Sequence, residues 1–203
     1  GQSWSLLSPE KGAFGGDKEW FTVDKNVGGM GHGFQYQIWT DFFACTFGGF
    51  NRSIDGGATW QTPISIPNSP QWGTLDVDTN GNLFIGGVSN TFYCIRSCNA
   101  QNPGVTPTFD RVTSLNMGGD LIQGGINGIG LCGQAFLAVD RSGTATNNNI
   151  YMLASVLPTT TRSRWMRPPP TFARSPTSQS TRRIAKIVQS MTPLSFQVLH
   201  PRR

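Results

Sequence analysis

One pattern occurs three times in this chain, and it restricts the fold more than any other feature. A short alternating segment ends in Val-Asp, a turn follows, and a second alternating segment carries an aromatic residue. The first copy is Trp20-Phe21-Thr22-Val23-Asp24, then Phe34-Gln35-Tyr36-Gln37-Ile38-Trp39. The second is Thr74-Leu75-Asp76-Val77-Asp78, then Asn82-Leu83-Phe84-Ile85. The third is Phe136-Leu137-Ala138-Val139-Asp140, then Asn149-Ile150-Tyr151-Met152-Leu153. Asp24 and Asp78 lie 54 positions apart, and Asp78 and Asp140 lie 62 apart. Apolar residues at every second position mark half-buried strands. Asn80-Gly81, between two such runs, supplies the positive φ angles of a tight hairpin. Repeats of about 40–50 residues with about four strands each are the blades of β-propellers.

The spacing predicts first strands at 19–24, 72–78 and 134–140, and second strands at 34–40, 82–87 and 149–155. Third strands are predicted at 46–53, 91–97 and 170–175, each closed by an Arg-Ser pair: Arg52-Ser53, Arg96-Ser97 and Arg174-Ser175. Fourth strands are predicted at 59–65 and 108–114, with none convincing in the third copy. The 25 glycines and 13 prolines suit many short strands better than helices. The expected fold is therefore all-β: an incomplete β-propeller of about three four-stranded antiparallel blades (17–66, 72–116 and 134–158). It follows an N-terminal segment, 1–16, and precedes an irregular basic tail, 159–203.

Between the third and fourth strands of the first copy stands Ser53-Ile54-Asp55-Gly56-Gly57-Ala58-Thr59-Trp60. It fits S-x-D-x-G-x-T-W at all five specified positions: Ser53, Asp55, Gly57, Thr59 and Trp60 carry it, with Gly56 beside them. The aspartate can accept backbone N–H bonds within its own turn. The glycines allow the conformations such a turn needs. On this motif the chain resembles the sialidase-like BNR/Asp-box repeat family over roughly 17–158. Asp17-Lys18-Glu19-Trp20, Trp39-Thr40-Asp41-Phe42 and Gly133-Gln134 through Asp140 look like that family's first two strands. In the family the boxes are structural turns, so Asp55 and Trp60 are expected as fold markers. The second copy degrades the box to Ser97-Cys98-Asn99-Ala100, and the third reads Ser175-Pro176-Thr177-Ser178.

Strand parity divides the residues between two edges. First-to-second and third-to-fourth turns share one edge with the box, and this bottom edge holds Asp24, Asp78, Asp140, Arg52 and Arg96 in expected structural roles. The opposite, top edge collects Asp17, Lys18, Glu19, Asp41 and Asp120, together with Asn127 and Gln134 in the glycine-rich connection 117–134. Loops on a rigid scaffold commonly carry function. These five charged residues are the candidate catalytic or binding set, with solvated loop polarity as the bland alternative.

The resemblance implies glycoside hydrolysis with a tyrosine nucleophile, a glutamate partner, an aspartate and three arginines on the sugar carboxylate. Three tyrosines are present, Tyr36, Tyr93 and Tyr151, and two glutamates, Glu10 and Glu19. No Tyr–Glu pair is evident in the sequence, and the family's early Arg-Ile-Pro signature is absent, so no catalytic set can be assigned. Two functions stay open. One is a fragment of a sialidase-type exo-glycosidase that acts on or binds glycans. The other is a non-catalytic propeller serving in protein interaction or adhesion. The family implies a secreted or cell-surface protein. The exposed sheet edges of an unclosed arc imply self-association.

No cofactor or metal is expected. Asp76-Val77-Asp78-Thr79-Asn80-Gly81 imitates the start of a calcium loop, but Gly87 stands where the bidentate glutamate belongs. His32 and His200 have no finger-like spacing with Cys45, Cys94, Cys98 or Cys132. The cysteines permit two disulfides or none, Cys94 to Cys98 being the local option. No run of about 20 apolar residues exists to span a membrane. Residues 1–158 hold all 11 acidic and 7 basic side chains, whereas 159–203 hold 9 basic and no acidic ones. That asymmetry, with Pro168-Pro169-Pro170, predicts a disordered tail or a shifted reading frame after Pro158. It also argues against a nucleic-acid binder, whose basic face would lie on the folded body, and leaves only the tail as an alternative basic arm for nucleic acid or an acidic surface.

Overall fold

The computed structural model describes residues 3, 16–40, 48–122, 133–158, 183–189 and 196–199. Among these residues there are strands, turns and no helix. The first sheet holds β1 (Asp17–Val23), β2 (Gln35–Thr40) and β3 (Phe50–Ser53) in that order. The second is the meander β4 (Leu75–Val77), β5 (Leu83–Val88), β6 (Phe92–Ser97) and β7 (Arg111–Leu115). The third runs through β9 (Phe136–Val139), β10 (Ile150–Pro158), β11 (Arg183–Gln189) and β12 (Phe196–Leu199). A short β8 (Gly119–Leu121) shares with β9 the edge of β10, pairing with its far end. Every strand pair is antiparallel, and no sheet closes on itself.

Two differences from the sequence expectation have local causes. The fourth strand expected at 59–65 shrinks to one bridge between Phe50 and Ile64. Gln61 N donates to Arg52 O at 2.9 Å and Ile64 N to Phe50 O at 2.8 Å, but Pro63 between them has no N–H to continue the ladder. The third strand expected at 170–175, with Arg174-Ser175, lies outside the described residues. The third strand of the last sheet is instead β11, so the tail is not irregular at 183–189 and 196–199. Ile184, Ile187 and Val188 there are β-branched and favour a strand, a local signal that the basic and proline-rich surroundings outweighed.

Sheet two lies between the other two. Leu75, Val77, Leu83, Ile85 and Ile95 form one buried cluster with Tyr36, Ile38 and Phe50 of sheet one. Phe84, Phe92, Cys94 and Leu115, on the opposite face, form a second with Leu137, Val139, Ile150 and Met152 of sheet three. Period-2 alternation thus supplies both faces of the middle sheet. The approach is close at Gly86, where an added Cβ would lie 2.8 Å from Met152 and 2.9 Å from Leu137.

The first strands adjoin one another, β4 between β1 and β9. Gly73 and Ala135 form a parallel bridge at their start. Side chains continue the seam: Leu137 N donates to Thr74 Oγ1 at 2.7 Å and Val139 N to Asp76 Oδ2 at 2.9 Å. Arg141 pairs with Asp76 at 3.6 Å and donates to Val77 O. On the other side Asn26 Nδ2 donates to Asp78 O at 2.7 Å. Asp24, Asp78 and Asp140 each accept the N–H two residues on, from Asn26 (2.9 Å), Asn80 (2.9 Å) and Ser142 (2.7 Å). The repeated Val-Asp is therefore a strand followed by an Asx turn.

Candidate binding clefts

The Asp box closes on itself. Gly57 N donates to Ser53 Oγ at 2.8 Å, and Ser53 Oγ to Asp55 Oδ1 at 2.8 Å. Thr59 N donates to Asp55 Oδ1 at 2.9 Å and the Thr59 hydroxyl to Oδ2 at 2.6 Å. The Thr59 hydroxyl leads the bonds that hold the Asp55 carboxyl down at about 2. Gly56 and Gly57 take φ of 74° and 94°. Both carboxylate oxygens of Asp55 are thus engaged within its own turn.

The degraded second box does the same work in altered form. Ser97 Oγ donates to Asn99 Oδ1 at 3.1 Å, and Thr108 N donates to the same oxygen at 2.8 Å. Asn99 thus stands for Asp55, Thr108 for Thr59 and Phe109 for Trp60, across a loop five residues longer. Phe109 meets Phe50 edge-on at 5.6 Å. The two arginines beside the boxes diverge. Arg96 forks onto Asp110. Arg52 is fully buried and donates to Gln61 Oε1 at 2.9 Å and to the carbonyls of Ala100 and Val105. Neither guanidinium is available to clamp a sugar carboxylate.

Two of the tyrosines are likewise committed. Tyr36 is fully buried and donates to Ala100 O at 3.3 Å; burial first, then the charge of Asp24, pushes its hydroxyl well above its ordinary value. Tyr93 donates to Asn90 Oδ1 at 2.6 Å. Neither hydroxyl is bonded to a carboxylate. Cys94, buried, and Cys98, exposed, are both free thiols.

The top edge carries two clefts. The larger, about 670 Å³, opens at the β5–β6 turn and the connection from β7 to β8. Ser89, Asn90, Thr91, Ser114, Asn116 and Asp120 surround Phe92, Leu115 and Met117. The smaller, about 250 Å³, lies at the connection from the first sheet to the second and is lined by Trp39, Ser65, Ile66, Ser69, Pro70 and Gln71 beside Gly48 and Gly49.

Of the residues singled out in the sequence, Asp120 lines the larger cleft. Asp17 and Lys18 sit at a bulged start of β1, where Asp17 Oδ1 accepts Lys18 N at 2.8 Å and Lys18 has φ 56°. Glu19 lines a different hollow, of about 280 Å³, with Trp20, Phe21, Gln35, Gln37 and Trp60. Asp41, like Asn127, lies outside the described residues. The candidate set is therefore not gathered into one site. Asn90, Asn116 and Trp39 escaped the sequence reading. The first two follow from the same parity argument that selected Asp120.

Among the described residues no three His, Cys, Asp or Glu side chains are grouped to hold a metal ion, and no helix is long and apolar enough to cross a membrane. The fold and its turns define an all-β protein of three antiparallel sheets stacked in chain order with an Asp-box-type turn. No family model, curated protein or solved structure matches the chain.

Proposed function

We propose that this chain is part of a sialidase-like Asp-box propeller that binds glycans at its top edge without hydrolysing them. The observation that carries the reading is the larger cleft. Its amides and hydroxyls both donate and accept, as sugar hydroxyls require, and the apolar surface of Phe92 and Met117 suits the C–H face of a sugar ring. Among the described residues Asp120 is the one ionisable side chain lining it, with no second carboxylate or activated nucleophile of a glycosidase beside it. Two further features support the propeller: the sheets stack in chain order, and their first strands adjoin. On the same resemblance the protein acts outside the cell or at its surface.

The test is a glycan array followed by calorimetry on the best ligand, alongside a fluorogenic sialoside assay. Binding that weakens at least tenfold in Asn116→Ala and Asp120→Asn, with no turnover, supports the reading. No glycan bound by the wild-type chain, or turnover, sinks it.

A second reading, a protein-interaction module, is favoured by Phe136, Leu153 and Leu157. These large apolar side chains of sheet three are 44%, 48% and 51% exposed. Concentration-dependent self-association abolished by Leu153→Ser with Leu157→Ser, in a chain that binds no glycan, would select it.

A further inference from the structure

The smaller top-edge cleft holds three observations that the glycan reading does not use. Trp39 lines it, is only 3% exposed, and its indole Nε1–H has no hydrogen-bond acceptor among the described residues. A buried donor without a partner is rare in folded proteins and calls for an explanation. The connection forming one wall is strained: Asn68, Ser69 and Trp72 have φ of 60°, 42° and 50°. Asparagine tolerates that region, but serine and tryptophan do not. Such conformations persist only where surrounding structure enforces them, and they cluster at binding sites. Here the enforcement is visible. Gln71 exchanges two backbone hydrogen bonds with Val88, at 2.8 and 3.0 Å, and Trp72 N donates to Thr40 Oγ1 at 3.1 Å. The connection is held to sheet two at one point and to sheet one at the next.

The lining names the ligand class. Among the described residues no ionisable side chain lines the hollow. Ser65, Ser69 and Gln71 offer hydroxyls and an amide, and Trp39 offers a donor waiting for an oxygen. A volume of about 250 Å³ is several times the roughly 30 Å³ that one water occupies in the liquid. It falls just below the usual range of small-molecule pockets, about 300–1,000 Å³.

We propose that this hollow is a second ligand site, which takes one small uncharged polyhydroxylated molecule of monosaccharide class with an oxygen on the Trp39 indole N–H. It stands apart from the Asp120 cleft and does not require glycan binding there.

The experiment is a titration of the ¹⁵N-labelled full chain, reading the indole N–H resonances of its six tryptophans. Trp39→Phe keeps an aromatic ring, though a smaller one, removes the N–H donor and identifies the Trp39 resonance. The probes are methyl glucoside, methyl galactoside, N-acetylglucosamine and mannitol, with sialic acid and glucuronic acid as charged counterparts. Expected is a saturable downfield shift of the Trp39 resonance with at least one uncharged probe. Calorimetric affinity for that probe should fall about tenfold in Trp39→Phe, the worth of one buried hydrogen bond. Ser69→Gly, which suits the positive φ, should raise Tm and weaken the same binding. Asn116→Ala should leave it unchanged, which separates this site from the larger cleft. A Trp39 resonance unmoved by every uncharged probe overturns the proposal. So does an equal response to the acids, or Ser69→Gly binding as tightly as wild type.

Discussion

Arg52 and Arg96 occupy the same position of the repeat, each one residue before the serine that opens a box, so truncating them makes a paired test of what burial adds. Arg96 is a quarter exposed and meets Asp110, itself 29% exposed, across open surface. Pairs of that kind contribute about 0–1 kcal/mol, so Arg96→Ala should cost less than about 1 kcal/mol. Arg52 is 0% exposed and has three neutral acceptors in place of a carboxylate. Burial pulls its pKa below the ordinary value. Hydrogen bonds from a charged donor contribute about 1.5–3 kcal/mol each when removed singly. The sum is smaller than three times that. Ala100 O keeps the Tyr36 hydroxyl, and Val105 is exposed, so its carbonyl can turn to water. The expected loss for Arg52→Ala is about 3 kcal/mol, the worth of two such bonds at the low end of that range. Arg52→Lys should fall between, because an ammonium cannot fork to acceptors on both sides. Urea unfolding with an unchanged m-value measures all three. Equal losses at 52 and 96, or less than about 1 kcal/mol at 52, would refute the claim that Arg52 clamps the 98–105 loop of sheet two to sheet one.

Asp55 predicts an acid-sensitive turn. Its folded pKa lies below its ordinary value, so it stabilises the fold above about pH 3.8 and loses that contribution as pH falls toward 2. The Tm difference between wild type and Asp55→Asn should close over that window; a constant difference would count against the hydrogen-bond set. Burial pushes the Cys94 thiol up to about 12 while Cys98 is exposed. Iodoacetamide at pH 8 should therefore modify Cys98 in the native chain and Cys94 only after unfolding, as peptide mapping by mass would show. A Cβ at Gly73 would stand 1.7 Å from Gly86 O, whereas one at Gly28, with φ 80°, meets nothing within 4 Å. Gly73→Ala should cost about 3 kcal/mol or more and Gly28→Ala about 1 in urea unfolding. Phe21 and Leu75 are repeat equivalents at 64% and 3% exposure, so Leu75→Ala should cost about 2–5 kcal/mol and Phe21→Ala less than about 1.

The hairpins were the most legible part of the chain. Leu75 and Val77 against Leu83 and Ile85, around Asn80-Gly81, give alternation and a turn, and the register Val77 to Leu83 follows. The first two strands of each repeat lie within a few residues of their expected places because period-2 burial and Asx turns are local. What was not legible depends on distant partners. Gly119-Asp120-Leu121 carries no strand pattern and is a strand only because the end of β10 runs beside it. Arg52 and Arg96 read alike, and only the loop laid over one of them separates their roles. Nothing in Ser69 or Trp72 announces a positive φ. Asn99 reads in the sequence only as part of a degraded box because the loop to Thr108 is stretched, although the hydrogen bond it makes is the one Asp55 makes.

The repeat also shows how one backbone carries different surfaces. The last valine of each first strand pairs with Gln35, Leu83 or Ile150, and two residues on stand Gln37, Ile85 and Met152. Where a sheet lies on the sheet before it, those pairs are Leu83 with Ile85, and Ile150 with Met152, all buried. In sheet one the same register positions hold two glutamines, and Gln37 Nε2 has no hydrogen-bond partner. Replacing such an aliphatic pair by amides removes about 1.5–3 kcal/mol per side chain from a sheet contact. It also adds a cost for each amide buried without a partner. A dry sheet laid on that face would leave the amides unpaired, whereas a polar partner or water would satisfy them. The strands are interchangeable along the repeat. The two residues that each second strand turns toward its neighbour are not, and they decide which faces are apolar core and which carry amides that need a polar partner.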